Sequence, residues 1–267
     1  MIAPAVALAP ALRTRNRPFV IRVREGFRMQ IDGSSQTGRM LYATGEYESE
    51  TTRLIKRLLA PGQTMIDVGA NIGYFAIVAA RAVGPQGRVV AFEPVGPVRA
   101  RLQRNLVLNG LSRVEVREEA LSASSGNVKF FTGPADDTGL ASLRPLEGSR
   151  ETTVRQVRFD DLWRVDDPVA LVKIDVEGAE MAAIRGMSGT LRRWLPDIVV
   201  EVTDAYLQAL GSSAAELMAF LTGIGYKMHR IATAGLERLN DPSELGRCPP
   251  QFNALFTTRI AESTWLS

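Results

Sequence analysis

Apolar positions along this chain fall into two alternating rhythms, and the alternation predicts most of the fold. Met65 to Val68, Val89 to Phe92, Leu171 to Ile174 and Ile198 to Val200 are apolar almost throughout, as strands covered on both faces must be. Between them, segments near Tyr74–Val83, Pro97–Asn109, Ala179–Gly186 and Ala214–Gly223 carry helical spacing. Strand followed by helix, repeated, specifies a doubly wound, mostly parallel sheet. The series begins with strands at Thr64–Val68, Arg88–Phe92 and Val114–Arg117, and resumes with Ala170–Ile174 and Ile198–Val202. It ends with Tyr226–Ile231 and Phe252–Thr257. No clear helix separates the last two strands, so the final one is free to enter antiparallel.

Between Ala123 and Arg158 the rhythm breaks. Glycines at 126, 133, 139 and 148 punctuate short strand-like pieces such as Val128–Phe131 and Thr153–Val157, which reads as a β-rich insertion. Ahead of Thr64, Phe19–Val23 and Phe27–Ile31 alternate well enough for a hairpin around Glu25-Gly26, and Glu46–Leu59 is helical up to Pro61-Gly62. The expected organisation is an arm and hairpin over 1–45, a doubly wound domain over 46–260 with its insertion at about 123–158, and a tail at 261–267.

Composition narrows the class. A chain of 267 residues with 45% hydrophobic content buries a full core. The single cysteine, Cys248, excludes an intramolecular disulfide and suits a reducing, cytoplasmic setting. Met1–Leu12 is rich in alanine and proline but has no basic residue ahead of its apolar part, unlike a secretory signal. No apolar run is long enough for a membrane span. The net charge of +3 is mild, and the arginines are spread from Arg13 to Arg28 and again from Arg99 to Arg104, as on solvated faces rather than a nucleic-acid surface.

The chemistry gathers at strand ends. After Asp67 the chain turns through Gly69-Ala70-Asn71-Ile72-Gly73, and the next apolar strand closes on Glu93. A carboxylate there can accept both hydroxyls of a ribose. The dinucleotide fingerprint G-x-G-x-x-G is not matched, and an acid two residues before the first glycine would oppose a pyrophosphate. S-adenosylmethionine, which carries a sulfonium, an ammonium and a free ribose, suits Asp67, the turn and Glu93 together. No Walker A lysine argues for a nucleoside triphosphate.

A second acidic group follows Leu171–Ile174, where Asp175 and Glu177 fall at the carboxyl end of a strand, the place where open α/β sheets bind ligands. Lys173 would neutralise one of them, and Glu180 lies on the following helix. Glu201 ends the next strand, so Asp175 and Glu201 are placed to share a proton or a divalent metal ion, the latter needing further oxygen ligands from water, substrate or a residue such as Asp204. His229, the sole histidine, and Cys248 carry no partner motif and read as structural.

These segments resemble the FkbM-type S-adenosylmethionine-dependent methyltransferases of the class I, Rossmann-like group. The resemblance rests on Ile66–Gly73, Ala91-Phe92-Glu93-Pro94, Asn105 and Asn109, Glu119–Ser122, Lys173–Glu180 and Pro196–Glu201. It implies a seven-stranded sheet with an antiparallel last strand, and methyl transfer to oxygen, at a hydroxyl or carboxyl of a small molecule, often a sugar or secondary metabolite. By position, Asp67, Gly69, Asn71 and Gly73 would line the methionine end, Glu93 would hold the ribose, Glu119 and Ala120 would face the adenine, and Asp175 would lie beside the sulfonium. Asp175 and Glu201 would form the catalytic apparatus with Glu177 as helper. RNA ribose or protein methylation and a silent cofactor-binding domain are the alternatives. The N/D-P-P-Y/F loop of base amino-methylation is missing, since Pro249-Pro250 stands between Cys248 and Gln251. The helix at Glu46–Leu59 and the hairpin ahead of it would either cover the pocket or form a homodimer interface.

Overall fold

The computed structural model describes residues 17–33, 35–133, 141–143, 148–164 and 166–259. The alanine- and proline-rich arm and the tail at 261–267 lie outside them.

The main sheet contains eight strands. From one edge they are β5 (Glu115–Arg117), β4 (Arg88–Phe92), β3 (Thr64–Val68), β10 (Leu171–Ile174), β11 (Asp197–Thr203), β14 (Gln251–Thr257), β12 (Lys227–Ala232) and β13 (Gly235–Leu239). The first five are parallel. β14 runs antiparallel to both β11 and β12, as the missing helix before it allowed. Seven strands give the expected sheet, and β13 is an addition: Gly235, at φ 133, turns the chain back on β12 in an antiparallel hairpin.

The near-continuous apolar runs follow from burial on both faces. One face carries Met65, Val89, Ala91, Leu171, Val199 and Leu255, packed under α2 (Ser49–Leu58), α3 (Tyr74–Val83) and α4 (Gly96–Leu108). The hairpin of β1 (Phe19–Arg22) and β2 (Arg28–Ile31) adds Val23, Phe27, Met29 and Ile31 to this same cluster. The other face carries Ile66, Val68, Val172, Ile174, Ile198 and Val200, packed under α6 (Glu180–Gly186), α7 (Ser188–Trp194) and α9 (Ala214–Ile224). Since side chains alternate along a strand, Asp67, Lys173, Glu201 and Asn253 all fall on the first face. Lys173 is in register with Asp67, and Glu201 with Asn253.

The insertion is a separate sheet ordered β6 (Ala120–Leu121), β9 (Arg150–Val157), β7 (Gly126–Thr132) and β8 (Ala141–Ser142). An unexpected helix, α1 (Gln36–Thr44), precedes α2. Its N-terminus is capped by Ser35, whose hydroxyl accepts from the Gly38 amide, and it stops at Gly45 in a left-handed conformation. It buries Thr37, Gly38 and Leu41, a face too polar for periodicity to reveal. Among the described residues no helix is long and apolar enough to cross a membrane.

Candidate active site

Strand order turns scattered acids into a row. Glu93 follows β4, Gly69 follows β3, Asp175 follows β10, Glu201 lies near the end of β11, and all meet the carboxyl-end rim of the sheet. The reversal of β14 brings its first residues to that same rim, with Gln251 opposite Thr203 and Asn253 opposite Glu201. A cavity of about 340 Å³ runs along the row. Glu119, Ala120, Phe92 and Pro94 line one part of it. Gly69, Asn71, Asp175 and Glu177 belong to the middle strands, and Glu201 and Asn253 to the far ones.

The turn after β3 is built by close backbone packing. The amides of Gly69 and Ala70 both donate to the Phe92 carbonyl at 3.0 Å, and the Asp175 amide donates to the Val68 carbonyl at 3.0 Å. Gly69 has φ +78, and a Cβ on it would lie 1.9 Å from the Asp175 carbonyl oxygen. Its glycine identity is therefore set by the junction of two strands.

Glu93 is 6% exposed. Its carboxylate accepts from the Asn71 amide at 3.0 Å and the Val95 amide at 2.9 Å, which fixes it at the rim with lone pairs to spare. Burial pushes its pKa up to about 7, against the opposing pull of those two amides and Arg99 and with a small push from Asp67. On the expectation that Glu93 accepts from ribose hydroxyls, which favour the charged form, protonation should weaken binding. If binding lowers the pKa by one unit, S-adenosylhomocysteine should bind about fivefold less tightly at pH 6 than at pH 8. Calorimetry at the two values checks this, and Glu93→Gln should flatten the dependence; a pH-independent wild-type affinity refutes it.

Around Asp175 the charges are dense. Lys173, with its side chain 3% exposed, places Nζ 3.0 Å from Asp175 Oδ2 and 4.5 Å from the centre of the Phe75 ring. Burial alone would depress the lysine, but Asp175, Glu48 and Asp67 together hold its pKa above the usual range. Glu48, Asp175 and Glu201 each offer a carboxylate oxygen within 4.8 Å of the others. Asn253 Nδ2 donates to Glu48 at 2.8 Å, and Gln251 Nε2 donates to Glu201 at 2.8 Å. Burial, then Asp175, Glu177 and Glu48, push the Glu201 pKa up to about 9.

Eight of the ten residues singled out from the sequence line this cavity: Gly69, Asn71, Glu93, Glu119, Ala120, Asp175, Glu177 and Glu201. Two do not. Asp67 is fully buried beneath the turn, one residue before the strand ends, where burial raises its pKa to about 6 against the pull of Lys173. It stands below the floor of the cavity and does not line it. Gly73 starts α3 at φ +90, and a Cβ there would meet Leu102 at 3.1 Å, so it serves the packing of α3 on α4. Glu180 is structural too: its carboxylate accepts from the amides of Val176 and Gly178, closing the turn that presents Glu177. His229 sits buried in β12, and neither it nor Cys248 lines the cavity.

The sequence offered the Glu46–Leu59 segment as a cover for the pocket but did not single out the residues of the ceiling or the far wall. Gln36, Thr37 and Met40 of α1, then Tyr47 and Glu48, line the cavity from the N-terminal side, and Gln251, Phe252 and Asn253 from β14. Nothing in the polar run Glu46 to Glu50 distinguishes Glu48 from its neighbours. Asn253 had one usable signal, its place opposite Glu201 if the last strand reversed.

Among the described residues no lysine, arginine or histidine lines the cavity, whereas six carboxylates do: Glu48, Glu93, Glu119, Asp175, Glu177 and Glu201. Such a wall repels a pyrophosphate and suits a cation. A buried acid after the second strand, a glycine turn after the first and acids beyond them on a Rossmann-like sheet agree with the arrangement expected of an S-adenosylmethionine-dependent methyltransferase. The methyltransferase FkbM domain matches residues 67–228. This chain belongs to that family. It is 29% identical over 219 residues to the antimetabolite synthetase AmbE of Pseudomonas aeruginosa, across 67% of this chain and 10% of AmbE. It is 30% identical to the hexuronic acid methyltransferase AglP of Haloferax volcanii, across 58% of this chain and 62% of AglP, so it spans less than two thirds of either relative. With the 31-O-demethyl-FK506 methyltransferase FkbM of Streptomyces tacrolimicus the identity is 26%, across 63% and 74% of the two chains.

Proposed function

We propose that this enzyme methylates a hydroxyl oxygen of a small polyhydroxylated molecule, a sugar or a secondary metabolite, with Glu201 receiving the proton. The observation that carries this reading is the unequal state of the two acids at the centre. Asp175 is held by the Lys173 ammonium at 3.0 Å, whereas the hydrogen-bond donor to Glu201 is a neutral amide at 2.8 Å. Burial and the neighbouring acids make Glu201 a strong base, and a cation arriving beside it favours its charged form.

When bound, S-adenosylmethionine supplies an activated methyl group: the acceptor oxygen forms its new bond as the carbon–sulfur bond breaks and the electron pair leaves on sulfur. The residues supply alignment and proton removal. Glu93 fixes the ribose, Glu119 and Ala120 border the adenine end, and Asp175 keeps the lysine charge below the rim. Glu177, on a left-handed turn beside Asp175, adds negative charge to the acceptor side.

The acid-lined wall supports a hydroxyl acceptor over a carboxylate or a phosphodiester, either of which it would repel. Oxygen methylation also agrees with the activity that the name of the Streptomyces tacrolimicus relative states.

Glu201→Gln should lower kcat about a hundredfold or more, with the affinity for S-adenosylhomocysteine near wild type. Transfer of labelled methyl to a panel of hydroxylated acceptors measures it, and unchanged turnover sinks the assignment. Dialysis against EDTA separates proton from metal. Retained activity supports the base, whereas loss restored by Mg²⁺ replaces it with a cation held by Glu48, Asp175 and Glu201.

A further inference from the structure

Among the described residues, four other than glycine have left-handed backbones: Glu48 (φ 42), Asn71 (φ 49), Glu177 (φ 53) and Leu195 (φ 45). Three of the four line the cavity. Asn71 tolerates the conformation, and its own Oδ1 accepts from the Ile72 amide at 2.8 Å. Glutamate has no such tolerance, and a backbone of this kind persists only where its surroundings hold it.

Glu48 occupies the N-cap position of α2 without forming a side-chain cap, so helix capping does not account for it. Its side chain turns instead into the cavity, where Asn253 grips it across 205 positions of sequence. It also lies outside the segment that matches the family, 67–228. The carboxylates of Glu48, Asp175 and Glu201 converge within 4.8 Å, and the buried lysine beneath them makes its hydrogen bond to Asp175. Asn253 and Gln251 bring hydrogen bonds but no charge. Among the described residues no lysine, arginine or histidine lines the cavity beside this group.

We propose that Glu48 recognises the positive charge of the cofactor's sulfonium and so distinguishes the methyl donor from its neutral product. This rests on the cofactor reading above and adds a residue that the family-matched segment does not contain. Attraction between Glu48 and a nearby cation acts on the donor and vanishes once the methyl group has left, so the site holds its substrate and lets go of S-adenosylhomocysteine. A sulfonium and a thioether are otherwise nearly the same shape, which leaves charge as the distinguishing property.

Calorimetry of wild type and Glu48→Gln with three ligands tests this: S-adenosylmethionine, its amine-bearing analogue sinefungin, and S-adenosylhomocysteine. The expected result is a loss of about tenfold for the two cationic ligands and less than twofold for the neutral one. An equal loss for all three, or no loss, overturns the assignment of Glu48. Failure of the wild type to bind any of them would instead overturn the cofactor reading. If Glu48→Gln does not fold, Glu48→Asn removes the same charge with a residue that accepts a left-handed backbone, and the same ratio decides.

Discussion

Asp175→Asn should reduce turnover about a thousandfold or more while the affinity for S-adenosylhomocysteine stays within about tenfold of wild type. Asp175 holds the buried Lys173 ammonium at 3.0 Å, and it faces the cavity with a side chain 17% exposed. Without that carboxylate charge, Glu48 and Asp67 remain as the lysine's acidic neighbours. The ammonium's field would then fall on the cluster that has to accept the proton, making Glu201 a weaker base. The acid proposed to face the sulfonium is lost at the same time. Folding should suffer less, by about 2 kcal/mol, because the remaining acids still answer the buried charge. Single-turnover transfer of labelled methyl measures the chemical step, and full activity in this variant sinks the catalytic assignment.

Gly69→Ala should destabilise the fold by roughly 4 kcal/mol, or about 10 °C in Tm for a domain of this size. Two costs combine in it. The left-handed backbone at φ +78 penalises any L side chain, and the new methyl would stand 1.9 Å from the Asp175 carbonyl oxygen, a backbone atom with little freedom to move. Gly62→Ala separates the two, since Gly62 has φ +86 and nothing within 4 Å of a built Cβ. That variant should lose only about 1 kcal/mol. Differential scanning calorimetry on both checks the difference; similar losses would mean that the junction between β3 and β10 yields easily.

The cofactor half of the site was legible because it is local. Its acids stand at the ends of apolar runs, and the rule that parallel strands present ligands at their carboxyl ends was enough to place Glu93, Asp175 and Glu201. Asp67 escaped that rule. It lies one residue short of the strand end, and burial on the α3 face turned it under the floor, a distinction that apolar patterning does not encode. The wall built from the two flanks of the chain was not legible for the opposite reason. Its Glu48–Asn253 contact joins positions 205 apart, through polar residues that in isolation look solvated. Helix α1 stayed hidden because its buried face is built on Thr37 and Gly38. Strand β13 went unread because it is an exposed-edge hairpin, with Glu237 and Arg238 facing solvent between the buried Gly235 and Leu239.

The reversed β14 also separates two evolutionary fates within one cavity. The residues proposed to hold the nucleoside come from a contiguous stretch, whereas the rest of the cavity wall is stitched from both flanks of the chain. Apart from Glu48 and its partner Asn253, change in those flanks can retune acceptor choice without touching the residues proposed to grip the donor. Grafting residues 36–47 together with 251–252 from a relative should therefore be a more direct route to a new acceptor than substitution in the glycine turn or the acids at the strand ends, and neither flank alone would suffice.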